Sequence, residues 1–343
     1  MAHFMTTLDD LLQLALAQHA SDLHLSAGLV PMVRQHGALV PLLALDMAHA
    51  PCVALSDTAL RDMLATRMSA AQQAQLTQGH EVDFAFAHKT LGRFRVNAFL
   101  QQHGCGAVLR HIPSSSPTLA ALQTPPVLLS LLQQVGLLLV TGPTGSGKST
   151  TLAAMVQHLN AHTPQHIITL EDPIEFVHAS EHCLITQREI GTHSHRFAHA
   201  LRAALREDPD VILVGELRDL ETIRLALTAA ETGHLVLASL HTRSAAATID
   251  RVVDVFDAHE KALVRTQLSE ALVGVVSQTL CPTPAGDGRA AVFETLVATP
   301  AIRHLIREGK SAQMQSALQT GYNHGMQTMA QALQHAREQG RIA

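Results

Sequence analysis

The stretch GPTGSGKST, residues 142–150, satisfies the pattern GxxxxGK[ST]. An unbroken apolar run, GLLLVT, precedes it, and a helical pattern, TLAAMVQHLN, follows. Strand, glycine-rich loop and helix in that order make a P-loop and commit the surrounding chain to an α/β fold. The glycines let backbone N–H groups turn inward around phosphate oxygens. Lys148 is spaced to reach the β and γ phosphates, and the Ser149 hydroxyl to ligate Mg²⁺. The expected cradle for ATP is Gly142, Pro143, Thr144, Gly145, Ser146, Gly147, Lys148, Ser149, Thr150 and Thr151.

Four further features fit an open parallel sheet. The continuous apolar runs LLLV (137–140), HIITL (166–170), DVILV (210–214) and HLVLASL (234–240) read as strands covered on both faces. Such sheets bind ligands at the carboxyl ends of their strands. Three of these ends are polar: Glu171 and Asp172, then Glu216 with Arg218 and Asp219, then His241 and Thr242. ATP hydrolysis needs a positioned water, a metal shell and a sensor of the γ-phosphate. Glu171 or Glu216 can polarise the water while the other serves the Mg²⁺ shell, with Ser149 and Glu216 the named metal candidates. His241 is the candidate sensor. Gly215 stands where an Mg²⁺-binding aspartate is usual, which leaves the division between the glutamates open.

The N-terminal third has another rhythm. Residues 1–112 read as α+β: a helix at 8–18, strand-like runs at 21–26 and 32–42, a helical stretch at 56–78, then three alternating strands. PSSSPT opens a linker at 113–119, and the second domain runs over 120–343, mostly helical after residue 245 apart from a strand at 289–296. The net charge of −5 and the scarcity of aromatics (3%) offer no basic, stacking surface for nucleic acid. The apolar LLQLALA at 11–17 is too short to span a bilayer. Four scattered cysteines suit a reducing cytoplasm and make no CxxC pair. His195 and His199 fall at i, i+4 on an expected helix. With no completing carboxylate or cysteine nearby, they read as solvated surface.

Taken together, ITLEDPIEF, LREDPDVILVGELRD and ETGHLVLASLHTRSA resemble the Asp box, the atypical Walker B motif and the His box of the secretion ATPases, which drive type II secretion and type IV pili. ASDLHLSAG (20–28) is similar to the start of that family's N-terminal domain. The resemblance implies a RecA-like P-loop core with a smaller PAS-like α+β domain. It also implies a cytoplasmic homohexameric ring in which one subunit's N-terminal domain packs on the next subunit's core. Arginines from late N-terminal strands would then reach the nucleotide, and by motif position these are Arg95 and Arg110, with Arg93 beside them. His234 belongs to the His box.

AIRHLIRE (301–308) is similar to the C-terminal motif of the family's pilus-retraction subgroup. Thr299 and Pro300 suit the start of that helix and Gly309 its end. Ile302, Leu305 and Ile306 share an apolar face, while Arg303 and Arg307 form a separate charged stripe, with Glu308 in reach of His304. The expected function is ATP-driven pilus retraction and twitching motility. Arg303 and Arg307 would couple ring motion to the pilus machinery and not to hydrolysis; the expected partners are an inner-membrane platform protein, the pilus machinery and an accessory retraction paralogue. The alternatives are a pilus-assembly or secretion ATPase and the accessory paralogue itself. A nucleic-acid motor and a non-catalytic regulator fit the residues less well.

Overall fold

The computed structural model describes residues 7–35, 37–43, 52–112, 116–286 and 288–343. The chain divides into two compact units, Met1–Ser114 and Ser115–Ala343. The opening of the expected linker, residues 113–115, lies outside the described residues. Leu119, at the linker's expected end, is buried in the second unit's core.

In the first unit, α1 (Leu8–Ala17) starts at a capping box in which Thr7 and Asp10 satisfy each other's backbone amides. Three strands follow: β1 (Asp22–Ser26), β2 (Met32–Gln35) and β3 (Ala38–Pro41). The 56–78 stretch is two helices, α2 (Asp57–Ala65) and α3 (Ala70–Thr77), because Ser56 and Ser69 each begin a new one as an N-cap. The strands β4 (Val82–His88), β5 (Gly92–Gln101) and β6 (Gly104–Ile112) complete an antiparallel sheet of order β3-β2-β1-β6-β5-β4. Alternation sends Leu23, Leu25, Val96 and Leu109 into a core with Leu11, Leu12, Leu60 and Leu64.

The second unit runs α4 (Val127–Leu131), β7 (Gly136–Thr141), α5 (Lys148–His162), β8 (His166–Glu171), β9 (Leu184–Glu189), α6 (Phe197–Ala204), β10 (Val211–Val214), α7 (Leu220–Glu231) and β11 (Leu235–Leu240). It continues through α8 (Ala245–Asp254), α9 (Lys261–Ala271), β12 (Leu272–Pro282), β13 (Arg289–Val297), α10 (Pro300–Arg307), α11 (Ser311–Thr320) and α12 (Met329–Glu338). Its sheet has the order β13-β12-β7-β11-β10-β8-β9, parallel throughout except at β13. The four central strands are buried end to end apart from the tips of β8, as their apolar runs require.

Two strands depart from the sequence reading. β12 was expected as helix, because the apolar spacing of α9 runs into it without a turn residue. Its β-branched Val273, Val275 and Val276 instead pair beside β7, in the middle of the unit. β9 is a half-exposed edge strand whose polar residues carry no strand pattern, and backbone pairing to β8 defines it. Helix α6 begins at Phe197, so His195 precedes it and the expected helical pair with His199 does not form. Among the described residues no third ligand joins those two histidines. Among the same residues no helix is long and apolar enough to cross a membrane.

Candidate active site

The P-loop joins β7 to α5, and Gly142 and Gly147 take the positive φ angles its turn requires. At Gly142 a side chain is excluded outright, since a Cβ would lie 2.3 Å from the Gln278 carbonyl oxygen. Gln278, on β12, is 1% exposed, and its Nε2 donates to the Ser146 carbonyl at 2.6 Å. The missed strand therefore supports the loop from behind. Lys148, at the first turn of α5, is 9% exposed, and its ammonium donates to the carbonyls of Gly142 (2.9 Å) and Pro143 (3.1 Å). Burial holds its pKa below the usual lysine value, with Glu216 and Glu175 pulling the other way. Ser149 is exposed in the same turn, and Thr151 is buried behind it.

From Lys148 a row of polar contacts crosses the carboxyl ends of the strands in sheet order. Lys148 Nζ lies 3.2 Å from His241 Nδ1, at the end of β11. Thr144 Oγ1 meets the same nitrogen at 3.4 Å. His241 Nε2 is 3.3 Å from Glu216 Oε1, beyond β10. Arg218 Nε donates to Glu216 Oε2 at 2.8 Å, and its NH1 reaches Asp172 Oδ2 at 3.2 Å, beyond β8. Asp172 thus takes a guanidinium. Asp219, by contrast, is the N-cap of α7.

Glu171 ends β8 beside Asp172. Its Oε1 accepts from Thr169 Oγ1 (2.6 Å) and from Gln187 Nε2 on β9 (3.2 Å). Burial pushes its carboxyl above the usual carboxylate range, while the Thr169 and Gln187 hydrogen bonds oppose the shift. Gly215 gains a physical account here. Its N–H donates to the Leu170 carbonyl at 2.8 Å, and a Cβ would lie 3.2 Å from that oxygen and 3.4 Å from Glu171 Cα. An aspartate at 215 would press on the strand end that carries Glu171.

The remaining expected residues lie elsewhere. His234 sits at the opposite end of β11 from His241, with its Nδ1 2.9 Å from the Ala229 carbonyl, so it is not part of the row. Arg95 and Arg110 belong to the first unit, where they face each other across β5 and β6. Arg110 donates to the buried Asp22 at 2.7 Å, and its side chain is 66% exposed. Arg95 lies 4.0 Å from Asp83, and Arg93 is in register with Ile112.

Thr299 caps α10 as expected, and Ile302 and Ile306 are fully buried. Both arginines of the helix turn to the end of α9. Arg303 donates to the carbonyls of Ala298 (3.0 Å), Ser269 and Glu270 (2.6 Å). Arg307 pairs with the Glu270 carboxylate at 2.8 Å. Glu308 lies 3.8 Å from Lys310 instead of pairing with His304. Sequence reasoning overlooked Gln187, Gln278 and Thr169, because an amide or hydroxyl outside a motif carries no signal of its own.

Comparison with known proteins accords with this geometry. The chain is 53% identical over 335 residues to the type IV pilus retractation ATPase PilT of Pseudomonas aeruginosa, covering 97% of this chain and 95% of that one. It is 52% identical to a twitching motility protein of Neisseria gonorrhoeae, covering 91% and 82%. A crystal structure of the pilus retraction motor PilT with bound ADP superposes with a TM-score of 0.88 at 43% identity, covering 98% of this chain and 94% of that one. The model of the type II/IV secretion system protein family matches residues 2–342. With that match, and with relatives aligned over nearly its whole length, the chain belongs to the type II/IV secretion system protein family.

Proposed function

We propose that this protein is an ATP-hydrolysing motor that drives the retraction of type IV pili and so twitching motility. One observation carries the reading: the row Lys148–His241–Glu216–Arg218–Asp172 gathers the P-loop and three strand ends into one catalytic surface. Lys148 neutralises β/γ phosphate charge. His241, touching both Lys148 and Glu216, reports whether a γ-phosphate is present. Glu171 is the water-polarising carboxylate, since a desolvated carboxyl with a raised pKa is the stronger base. Glu216 is held between Arg218 and His241. With the Ser149 hydroxyl it offers the hard oxygen donors that suit Mg²⁺, which would neutralise phosphate charge there.

The working form is a homohexamer in which Arg95 and Arg110 serve the nucleotide of a neighbouring copy. It acts on the cytoplasmic face of the inner membrane through a pilus platform protein, alongside an accessory paralogue. Arg303 and Arg307 transmit motion by fastening α10, with its retraction-type sequence, to α9. Lys148→Ala and Glu216→Ala should each lower ATPase turnover roughly a hundredfold or more; wild-type rates in both would sink the assignment. In a piliated host, deletion should leave excess surface pili, whereas a bald cell would mean an assembly motor.

A further inference from the structure

Gln187 lies on the edge strand β9, in register with Thr169 of β8, and its carboxamide is engaged on both sides. Nε2 donates to Glu171 Oε1 at 3.2 Å and to the Phe176 carbonyl at 2.8 Å, and Oε1 accepts the His178 N–H at 2.8 Å. The orientation of this amide is forced. A carbonyl can only accept and a backbone N–H can only donate, so turning the amide over would break both backbone contacts. The donor end must therefore face Glu171. Two residues along the same strand, Glu189 Oε2 accepts the Ile174 N–H at 3.1 Å. Side chains at i and i+2 of a strand share a face, so one side of β9 holds the whole segment from Glu171 to His178.

We propose that Gln187 is a positioning residue for ATP hydrolysis, fixing the Glu171 carboxylate and the loop after it in a single arrangement. The argument is geometric. Glu171 needs one oxygen aimed at water, and a carboxylate on a flexible side chain holds a direction only when its other lone pairs are engaged. Thr169 and Gln187 both donate to Oε1, Thr169 from β8 itself and Gln187 from the neighbouring strand. The Gln187 amide also grips the loop at Phe176 and His178, so carboxylate and loop move together or not at all. Gln187 acts through Glu171, and this role rests on the reading of Glu171 as the water-polarising group.

The test uses the full chain with Gln187→Met, Glu171→Gln and the pair combined, measuring kcat and KM for ATP, the Kd of fluorescent ADP, and melting temperature. Gln187→Met should lower kcat roughly tenfold or more, with the ADP Kd within about twofold of wild type. The double variant should be no slower than Glu171→Gln alone, since the interaction it would lose is already gone. Should Gln187→Met melt below the assay temperature, Gln187→Leu, which also removes the donor without adding charge, is compared at a temperature below its own melting point. A slow Glu171→Gln beside a Gln187→Met of wild-type kcat would overturn the role of Gln187 alone. Losses that multiply in the double variant would overturn it too, marking Gln187 as a general support of the loop. A Glu171→Gln enzyme of wild-type rate would instead remove Glu171 from the chemistry, and Gln187 with it.

Discussion

Glu171 sits where two influences oppose each other. Burial favours its neutral form, and hydrogen bonds from Thr169 and Gln187 favour the ionised one. Removing a donor therefore has a definite sign. Thr169→Val deletes the 2.6 Å bond to Oε1, so the carboxyl should hold its proton to higher pH. If ionised Glu171 polarises the water, the acid limb of the ATPase pH profile must then move upward. An unchanged or downward limb in the steady-state profile would contradict the assignment. Lys148, Glu216 and His241 were legible in the sequence because each stands at a fixed place beside a strand of recognisable hydrophobicity. Thr169 and Gln187 were not, since a hydroxyl and an amide acquire chemical meaning only when the fold brings an acceptor to them. Gly215 was legible as a departure, but the tight approach behind it, 3.2 Å from a Cβ to the Leu170 carbonyl oxygen, depends on how closely β10 passes β8.

The central parallel strands announced themselves as apolar runs, yet β12, which supports the P-loop, did not. Helical spacing on α9 runs straight into it, and only tertiary pairing beside β7 decides the matter. Once formed, β12 and its partner β13 become the frame of the unit. Glu294 on β13 is 3% exposed and accepts the first N–H of two helices, Ala245 of α8 at 2.7 Å and Met329 of α12 at 3.1 Å. A carboxylate is favoured at helix N-termini, where amides lack partners within the helix. Because α8 follows the loop that carries His241, this carboxylate holds the helix behind the proposed sensor as well as the C-terminal helix. Glu294→Ala should cost about 1–3 kcal/mol for each orphaned amide, read as a lowered midpoint in denaturant unfolding. A midpoint shift corresponding to less than about 0.5 kcal/mol, the range of ordinary surface substitutions, would mean the amides find other partners.

For the whole protein, the proposed ring makes a prediction that no single chain can satisfy. Lys148 lies in the second unit and Arg110 in the first. If the arginine serves a neighbour's nucleotide, chains carrying Lys148→Ala and chains carrying Arg110→Ala should each be weak alone and recover activity on mixing. Each kind would then supply what the other lacks. No recovery in mixed, re-formed oligomers would confine both residues to one copy. Within a chain, the polar row from Lys148 to Asp172 has the character of a circuit wired in series, because each strand end holds the next. A break at any interior link disconnects everything beyond it, and a second break then changes little. Single substitutions would therefore make every link look equally indispensable. The order of the links would emerge only from pairs, by which double variants stay as slow as their slower parent.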